Sequence, residues 1–254
     1  MRIRLFEDFT GSKVGKKGLL PFRVQSVIDQ IEVYNIANKI YAVVIKDVKI
    51  RCYLFLRYQE YYEGSSNSIR GSKFSIDNYI NWYMDTYKNK DMFTYAYDWA
   101  GFNIPSNKIE ECLESIHDRN EYDRIMSQIF NSCRYDSDLE DFYLLGVDSL
   151  DGGLLEHEMA HGMYFTDPSY KLEMDKLTES LPKEIREIMN SKISEMGYGE
   201  NVISDEVQAY MSTGLMDEME EIKGIKTWVK KYQKVFKKFL EKNKSPKEIK
   251  IEWE

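Results

Sequence analysis

Cysteine is scarce in this chain of 254 residues, which has three cysteines and three histidines. The cysteines, at positions 52, 112 and 133, are odd in number and widely spaced, which argues against a disulfide framework and a cysteine zinc site. Long apolar runs are also missing, since no stretch approaches the ~20 apolar residues of a membrane span. The opening residues 1–17 carry charges where a secretory signal has its apolar segment. These absences predict a soluble cytoplasmic protein.

An excess of positive charge is missing as well. The formal net charge is -8, which argues against general binding to nucleic acid, because phosphate contacts need clustered Lys and Arg. Segment 225–242 is a local exception, with lysines around an apolar face that includes Trp228, Tyr232 and Phe236. We expect this helix to dock its apolar face on the protein and to solvate its lysines. A basic amphipathic helix can also contact anionic lipid, nucleic acid or a partner.

The composition is that of a globular protein, with 43% hydrophobic and 31% charged residues. The length suits a single domain with two lobes over residues 1–254 rather than two independent domains. The secondary-structure signals of the chain change near its middle. Residues 1–150 mix strand and helix signals and predict an N-terminal α/β lobe, whereas residues 151–254 predict a mainly helical lobe. The sequence therefore favours the α+β class.

Strand-like alternation occurs first in Tyr41–Ile45 and again in Val48–Tyr58, which predicts an antiparallel hairpin turning at residues 46–47. Ser75 is expected to cap a helix that carries apolar residues at helical spacing. The aromatic segment 92–102 is interpreted as a strand. Pro105 and Ser106 then introduce a helix that runs towards His117.

The second half begins with a short apolar segment, Phe142–Val147, which predicts a core strand followed by a turn. A helix should follow from about Gly152 to Phe165, ended by Thr166, Asp167 and Pro168. Four further helices are predicted, at residues 168–180, 182–196 (ending at Gly197), 204–216 (capped by Ser204) and 225–242.

The predicted helix at 152–165 contains the pattern H-E-x-x-H, as His157, Glu158 and His161. Two histidines four residues apart on a helix face the same way and can bind one Zn²⁺, while the intervening glutamate is placed to act as a general base. Such a short pattern also arises by chance on amphipathic helices. Here it falls on a predicted helix after an apolar strand and uses two of the three histidines, which favours a zinc site.

The segment Leu155–Gly162 resembles the active-site helix of the zincin metallopeptidases. The resemblance covers this helix and little else. It implies a zincin-like fold, in which an α/β lobe with a mixed sheet lies above the active-site helix and a helical lobe lies below it. It also implies zinc as cofactor and a peptide or protein as substrate.

Two residues compete for the third metal ligand. Asp167 lies six residues after His161, where metzincin-type proteins place a ligand, but Tyr164 stands where that pattern needs a glycine for a sharp turn. Asp167 followed by Pro168 is also a good helix start. Glu206 resembles the glutamate that gluzincins supply from a later helix, and we favour it, although an acidic residue there also complements the helix dipole.

Supporting roles can be assigned to three more residues. Asp205 is equally suited to orient a ligand histidine and to be a solvated charge at a helix start. Tyr210 and Tyr164 could each donate a hydrogen bond to an oxyanion, although packing explains either one. For His117 the expectation is a surface position. Segment 99–106 could line a cleft, but core packing is the favoured interpretation.

The predicted function is a gluzincin-like zinc metallopeptidase that hydrolyses a peptide or isopeptide bond, with His157, His161 and Glu206 as ligands and Glu158 and Tyr210 as catalytic residues. Two alternatives stay open. One is a zincin-like binding protein that acts through its basic C-terminal helix, and the other is a zinc hydrolase of small-molecule amides or esters.

Overall fold

The computed structural model describes residues 24–64, 66, 68–86, 92–196, 198–243 and 246–253. The charged opening segment 1–17 and Gly197, the expected end of one helix, lie outside these residues. The described chain is α+β, with a small mixed sheet and mostly helices, which confirms the predicted class. The strands are β1 (Glu32–Ala37), β2 (Ile40–Val44), β3 (Phe102–Pro105), β4 (Tyr143–Val147) and β5 (Lys247–Glu248). Their order in the sheet is β3-β4-β2-β1-β5, with β2 and β4 parallel and the other pairs antiparallel.

The helices fall into two groups along the chain. Those before β4 are α1 (Val24–Ile28), α2 (Val48–Glu63), α3 (Ile76–Thr86), α4 (Tyr95–Asp98), α5 (Ser106–Ser115) and α6 (Glu121–Asp136). Those after it are α7 (Gly153–Thr166), α8 (Pro168–Ser180), α9 (Lys183–Glu195), α10 (Ile203–Thr213), α11 (Asp217–Glu220) and α12 (Ile225–Asn243). The predicted strand at 142–147 and the helices of the second half are confirmed within a few residues at their ends. Helix α6 has no predicted counterpart.

The predicted hairpin is wrong in its second strand, because residues 48–58 belong to α2. The Asp47 carboxylate begins this helix by accepting hydrogen bonds from the backbone N–H groups of Lys49 (2.8 Å) and Ile50 (3.1 Å). The antiparallel partner of β2 is β1, and Lys39 adopts a left-handed conformation (φ 59°) in the turn between them. Buried residues lie all around α2, so its sequence lacks a helical period and resembles a strand.

Three local predictions have mixed outcomes. The Ser75 cap is confirmed, since its hydroxyl accepts a hydrogen bond from the backbone N–H of Asn78 at 3.1 Å. The strand predicted for 92–102 is wrong, because α4 occupies part of it and β3 begins only at Phe102. Ser204 does not cap α10, since that helix begins one residue earlier and Val202 occupies its N-cap position.

The sheet separates two apolar cores, and the alternation of β2 divides its side chains between them. Tyr41 and Val43 pack with α2, α3, α5 and α6, whereas Ile40 and Ala42 pack with the helices that follow β4. Helix α12 docks its apolar face into the second core through Tyr232 and other aromatic residues, and its lysines are exposed. No helix in the described ranges combines the length and the apolar character needed to cross a bilayer.

Candidate metal centre

Helix α7 carries three buried polar side chains and follows β4, an inner strand of the sheet. The turn between them ends at Gly152, whose φ of 99° favours glycine. His157, Glu158 and His161 are 5%, 1% and 1% exposed, although polar groups of this kind normally stay in water. Their burial calls for partners, and the nearby helix α10 supplies them.

His157 and His161 on α7 form one compact group with Glu206 on α10. One ligand atom from each residue lies within 4.8 Å of the others, and this is the group in the described ranges with the geometry to hold a metal ion. The two Nε2 atoms are 3.4 Å apart, and Glu206 oxygens lie 3.9 Å from Nε2 of His157 and 3.7 Å from Nε2 of His161. The structure thus brings together the three predicted ligands. Their arrangement suits a metal ion without specifying which metal.

The remaining ring nitrogens determine which histidine atoms face the metal position. The Thr213 hydroxyl donates its hydrogen to the Ala209 carbonyl (2.8 Å), so it can only accept from Nδ1 of His157, which is 3.1 Å away. Nδ1 of His161 lies 3.0 Å from a carboxylate oxygen of Asp205. Nδ1 of each ring thus lies beside an oxygen atom, and the Nε2 atoms of both rings lie on the side of Glu206. This pattern of outer partners is typical of metal-binding histidines.

Burial and charge shift the pKa values of all three candidate ligands. Burial, followed by the neighbouring His161, holds the pKa of His157 well below its usual value. Burial also acts to lower the pKa of His161, but Asp205 and Glu206 outweigh it and raise that pKa to about 10. Burial raises the pKa of Glu206 to about 7 against the opposing effect of His161. One oxygen of Glu206 has no hydrogen-bond partner among the described residues, so the group fits a bound cation.

Zinc affinity should therefore rise with pH. With a pKa of about 10, His161 is an imidazolium between pH 7 and pH 8, with a proton on each ring nitrogen. A metal can bind Nε2 only after the proton on that nitrogen leaves. Release of one proton per zinc predicts a roughly tenfold gain in affinity per pH unit, measurable by competition with a zinc-binding dye. Asp205→Asn should make the rise of zinc affinity with pH shallower, because it removes a negative charge that raises the pKa of His161. Equal affinity at both pH values would contradict this assignment.

The carboxylate of Glu158 is held by Asn103 on the edge strand β3 and lies against Gly101, which comes just before that strand. The Asn103 side-chain N–H donates to one oxygen of Glu158 at 2.9 Å, and the Tyr143 hydroxyl donates to the Asn103 side-chain oxygen at 2.6 Å. The other oxygen of Glu158 lies against Gly101, where a Cβ atom would come within 2.6 Å of it. A larger residue than glycine at position 101 would displace this carboxylate. Segment 99–106 thus shapes the site, and core packing alone does not describe its role.

A cavity joins the ligand group to Glu158. Its described lining residues are Gln59, Glu63, Trp99, Gly101, Asn103, His157, Glu158, His161, Tyr198 and Glu206. Gln59, Glu63 and Tyr198 lie far from the motif along the chain and carry no local signal that connects them to it. Burial, and then the charge of Glu206, raise the pKa of Glu63 well above its usual value.

The other candidates lie outside the ligand group. Asp167 begins α8, and its carboxylate accepts hydrogen bonds from the backbone N–H groups of Ser169 (2.9 Å) and Tyr170 (3.1 Å). The Tyr164 hydroxyl contacts Asp175 rather than the cavity. The ring of Tyr210 packs against His157 at a centroid distance of 4.9 Å, and its hydroxyl is buried. His117 is exposed, as expected.

No protein-family model, curated protein or solved structure matches the chain. The geometry of the site therefore carries the functional argument.

Proposed function

We propose that this chain is a zincin-like zinc metallopeptidase, gluzincin-like in its third ligand, that hydrolyses a peptide or isopeptide bond. The observation that carries the proposal is the placement of Glu158 in the same cavity as His157, His161 and Glu206. Two imidazoles and one carboxylate form a donor set that suits catalytic zinc. The mixed sheet beside α7 and the helices that follow are consistent with the two lobes of a zincin.

The bound metal would supply Lewis-acid chemistry, lowering the pKa of a water molecule and polarising a substrate carbonyl. Glu158 takes the proton from the attacking water and returns it to the leaving amine. Asn103 holds one oxygen of this carboxylate, which leaves the oxygen beside Gly101 to exchange the proton. Tyr210 remains the predicted oxyanion donor, and Tyr198, which lines the cavity, is a second candidate for that role.

The role of Asn103 can be tested through Glu158. Asn103→Ala should lower kcat by about one to two orders of magnitude with little change in zinc affinity, because a misplaced general base loses much of its ~10²–10⁴-fold contribution. Steady-state kinetics and zinc titration measure the two quantities. In a Glu158→Gln background the same substitution should have almost no further effect on rate. Additive losses would show that Asn103 acts independently of Glu158.

The proposed function is tested by incubating the zinc-loaded protein with a peptide library and identifying products by mass spectrometry. We expect cleavage that a chelator abolishes and that added zinc restores. Cleavage of small amides or esters without cleavage of peptides would assign the site to the non-peptidase alternative. No hydrolysis at all would overturn the proposal and favour a binding protein. That alternative gains no support from the apolar face of α12, which is packed against the second core.

A further inference from the structure

Gln208 on α10 is a fully buried amide that is not one of the candidate ligands. Its side-chain nitrogen lies 3.2 Å from the backbone carbonyl oxygen of Ala160 on α7 and 2.9 Å from a carboxylate oxygen of Asp205. Its side-chain oxygen lies 2.8 Å from the hydroxyl of Tyr170 on α8. One side chain thus connects three helices, α7, α8 and α10, that pack in the second core.

The partners of Gln208 fix the direction of each of its hydrogen bonds. A backbone carbonyl can only accept, so the amide nitrogen must face Ala160, and it donates its second hydrogen to the carboxylate of Asp205. The amide oxygen then accepts from the Tyr170 hydroxyl. Both N–H donors of this buried amide are therefore used, and the loss of any partner would leave a polar atom unsatisfied in the core. These contacts hold the amide in one orientation.

The oxygen of Asp205 that Gln208 contacts is also the oxygen that lies beside His161. It is 2.9 Å from the Gln208 nitrogen and 3.0 Å from Nδ1 of His161. The Asp205 side chain is 15% exposed, so it can turn towards solvent unless a second contact holds it. Gln208 supplies that contact. An outer partner of this kind fixes the orientation of a metal-binding imidazole.

The contact with Ala160 anchors the amide at the correct place on α7. Ala160 directly precedes His161, so the hydrogen bond from Gln208 to its carbonyl ties the amide to the helix that carries the imidazole. The position of Asp205 is thereby set relative to His161 itself and not only relative to α10. Metal sites tolerate little displacement of their ligands, which gives such an anchor a direct effect on affinity.

We propose that Gln208 is a positioning residue of the metal site, which holds the carboxylate of Asp205 beside His161 and is itself oriented by Tyr170. This role rests on the proposed function, because His161 is taken there as a ligand of zinc. It extends the site from the cavity into the contact between α8 and α10. Gln208 and Tyr170 should therefore influence how tightly the metal is held.

The first test measures zinc affinity by competition with a zinc-binding dye, without any substrate. Gln208→Met keeps the length of the side chain and removes its hydrogen-bonding atoms. It should weaken zinc binding about tenfold, the lower end of the ~10–100-fold loss that is typical of outer partners. Tyr170→Phe removes only the hydroxyl that orients the amide, and it should weaken zinc binding by about two- to fivefold.

Tyr232→Phe is the matched control for both variants. Tyr232 is as deeply buried in the second core as Tyr170, and its hydroxyl contacts the Thr178 hydroxyl at 2.9 Å rather than Gln208. The substitution removes a buried hydroxyl from the same core without touching Asp205. It should lower stability in the manner of Tyr170→Phe and leave zinc affinity unchanged.

Two further measurements separate positioning from a general loss of stability. In an Asp205→Ala background, Gln208→Met should weaken zinc binding by less than about twofold more, because the carboxylate through which Gln208 acts is gone. With Co²⁺ in place of zinc, the visible absorption spectrum depends on the arrangement of the ligands. Gln208→Met should alter this spectrum, and Tyr232→Phe should preserve it.

Three results would overturn the positioning role. They are a zinc affinity of Gln208→Met within about twofold of the unaltered protein, a loss that adds in full to that of Asp205→Ala, and an unchanged Co²⁺ spectrum. If Gln208→Met does not fold, an unchanged zinc affinity of Tyr170→Phe would overturn it instead. A protein that shows the expected dependence on Asp205 but cleaves no peptide would contradict the proposed function alone.

Discussion

Replacement of Glu158 by Gln is expected to reduce metal-dependent hydrolysis by about two to four orders of magnitude, the usual contribution of a general base. The amide has the shape of the carboxylate but cannot take a proton from water. Glu158 lies in the cavity beside the candidate ligands without being one of them, so zinc content should stay the same. Steady-state kinetics together with metal analysis of the same sample measure both quantities.

Glu156 offers a matched control for this experiment. It lies on the same helix two residues earlier, and its side chain is exposed. Glu156→Gln removes one carboxylate from α7 without touching the cavity, so its kinetics should equal those of the unaltered protein. Activity of Glu158→Gln close to that of Glu156→Gln would remove Glu158 from the mechanism.

The second large effect is expected at the third ligand. Glu206→Ala should weaken zinc binding by at least ~10–100-fold, the loss that is typical for outer partners of metal ligands, because it deletes a carboxylate of the ligand group itself. The imidazoles of His157 and His161 would then hold the ion alone. Competition titrations with a zinc-binding dye give the affinity.

Asp167→Ala is the comparison that separates the two candidate ligands. Its carboxylate accepts two backbone hydrogen bonds at the start of α8, so its loss should cost about 1 kcal/mol of unfolding free energy and leave zinc affinity unchanged. Thermal unfolding in the presence of a chelator measures the first quantity without the metal. If Asp167→Ala weakened zinc binding more than Glu206→Ala, the gluzincin-like ligand set would be wrong.

The sequence predicted the part of the site that depends on local spacing. His157, Glu158 and His161 share one helix, and the 3.6-residue period alone places both imidazoles on one side of it. Glu206 lies 45 residues after His161, and its assignment needed a resemblance to a later helix of gluzincins. Chain patterns alone do not reveal that α10 packs against α7.

The rest of the cavity is formed by contacts between distant segments, which leave no local signal. Asn103 reaches Glu158 from an edge strand 55 positions away, and its role depends on the pairing of β3 with β4. Glu63 and Gln59 lie on α2, and residues 48–58 of this helix resemble a strand in sequence because the helix is buried on several sides. A helical period in the sequence arises from the difference between a buried apolar face and an exposed polar face. A helix that is buried on several sides shows little of this difference.

Metal analysis of the protein purified without chelator tests the central claim most directly. The proposed site predicts about one zinc per chain. His157→Ala and His161→Ala should each abolish that occupancy, while a substitution of the exposed His117 should preserve it. Full zinc occupancy in both ligand variants, or no bound metal in the unaltered protein even after zinc is added, would show that the histidine pair on α7 is not a metal centre.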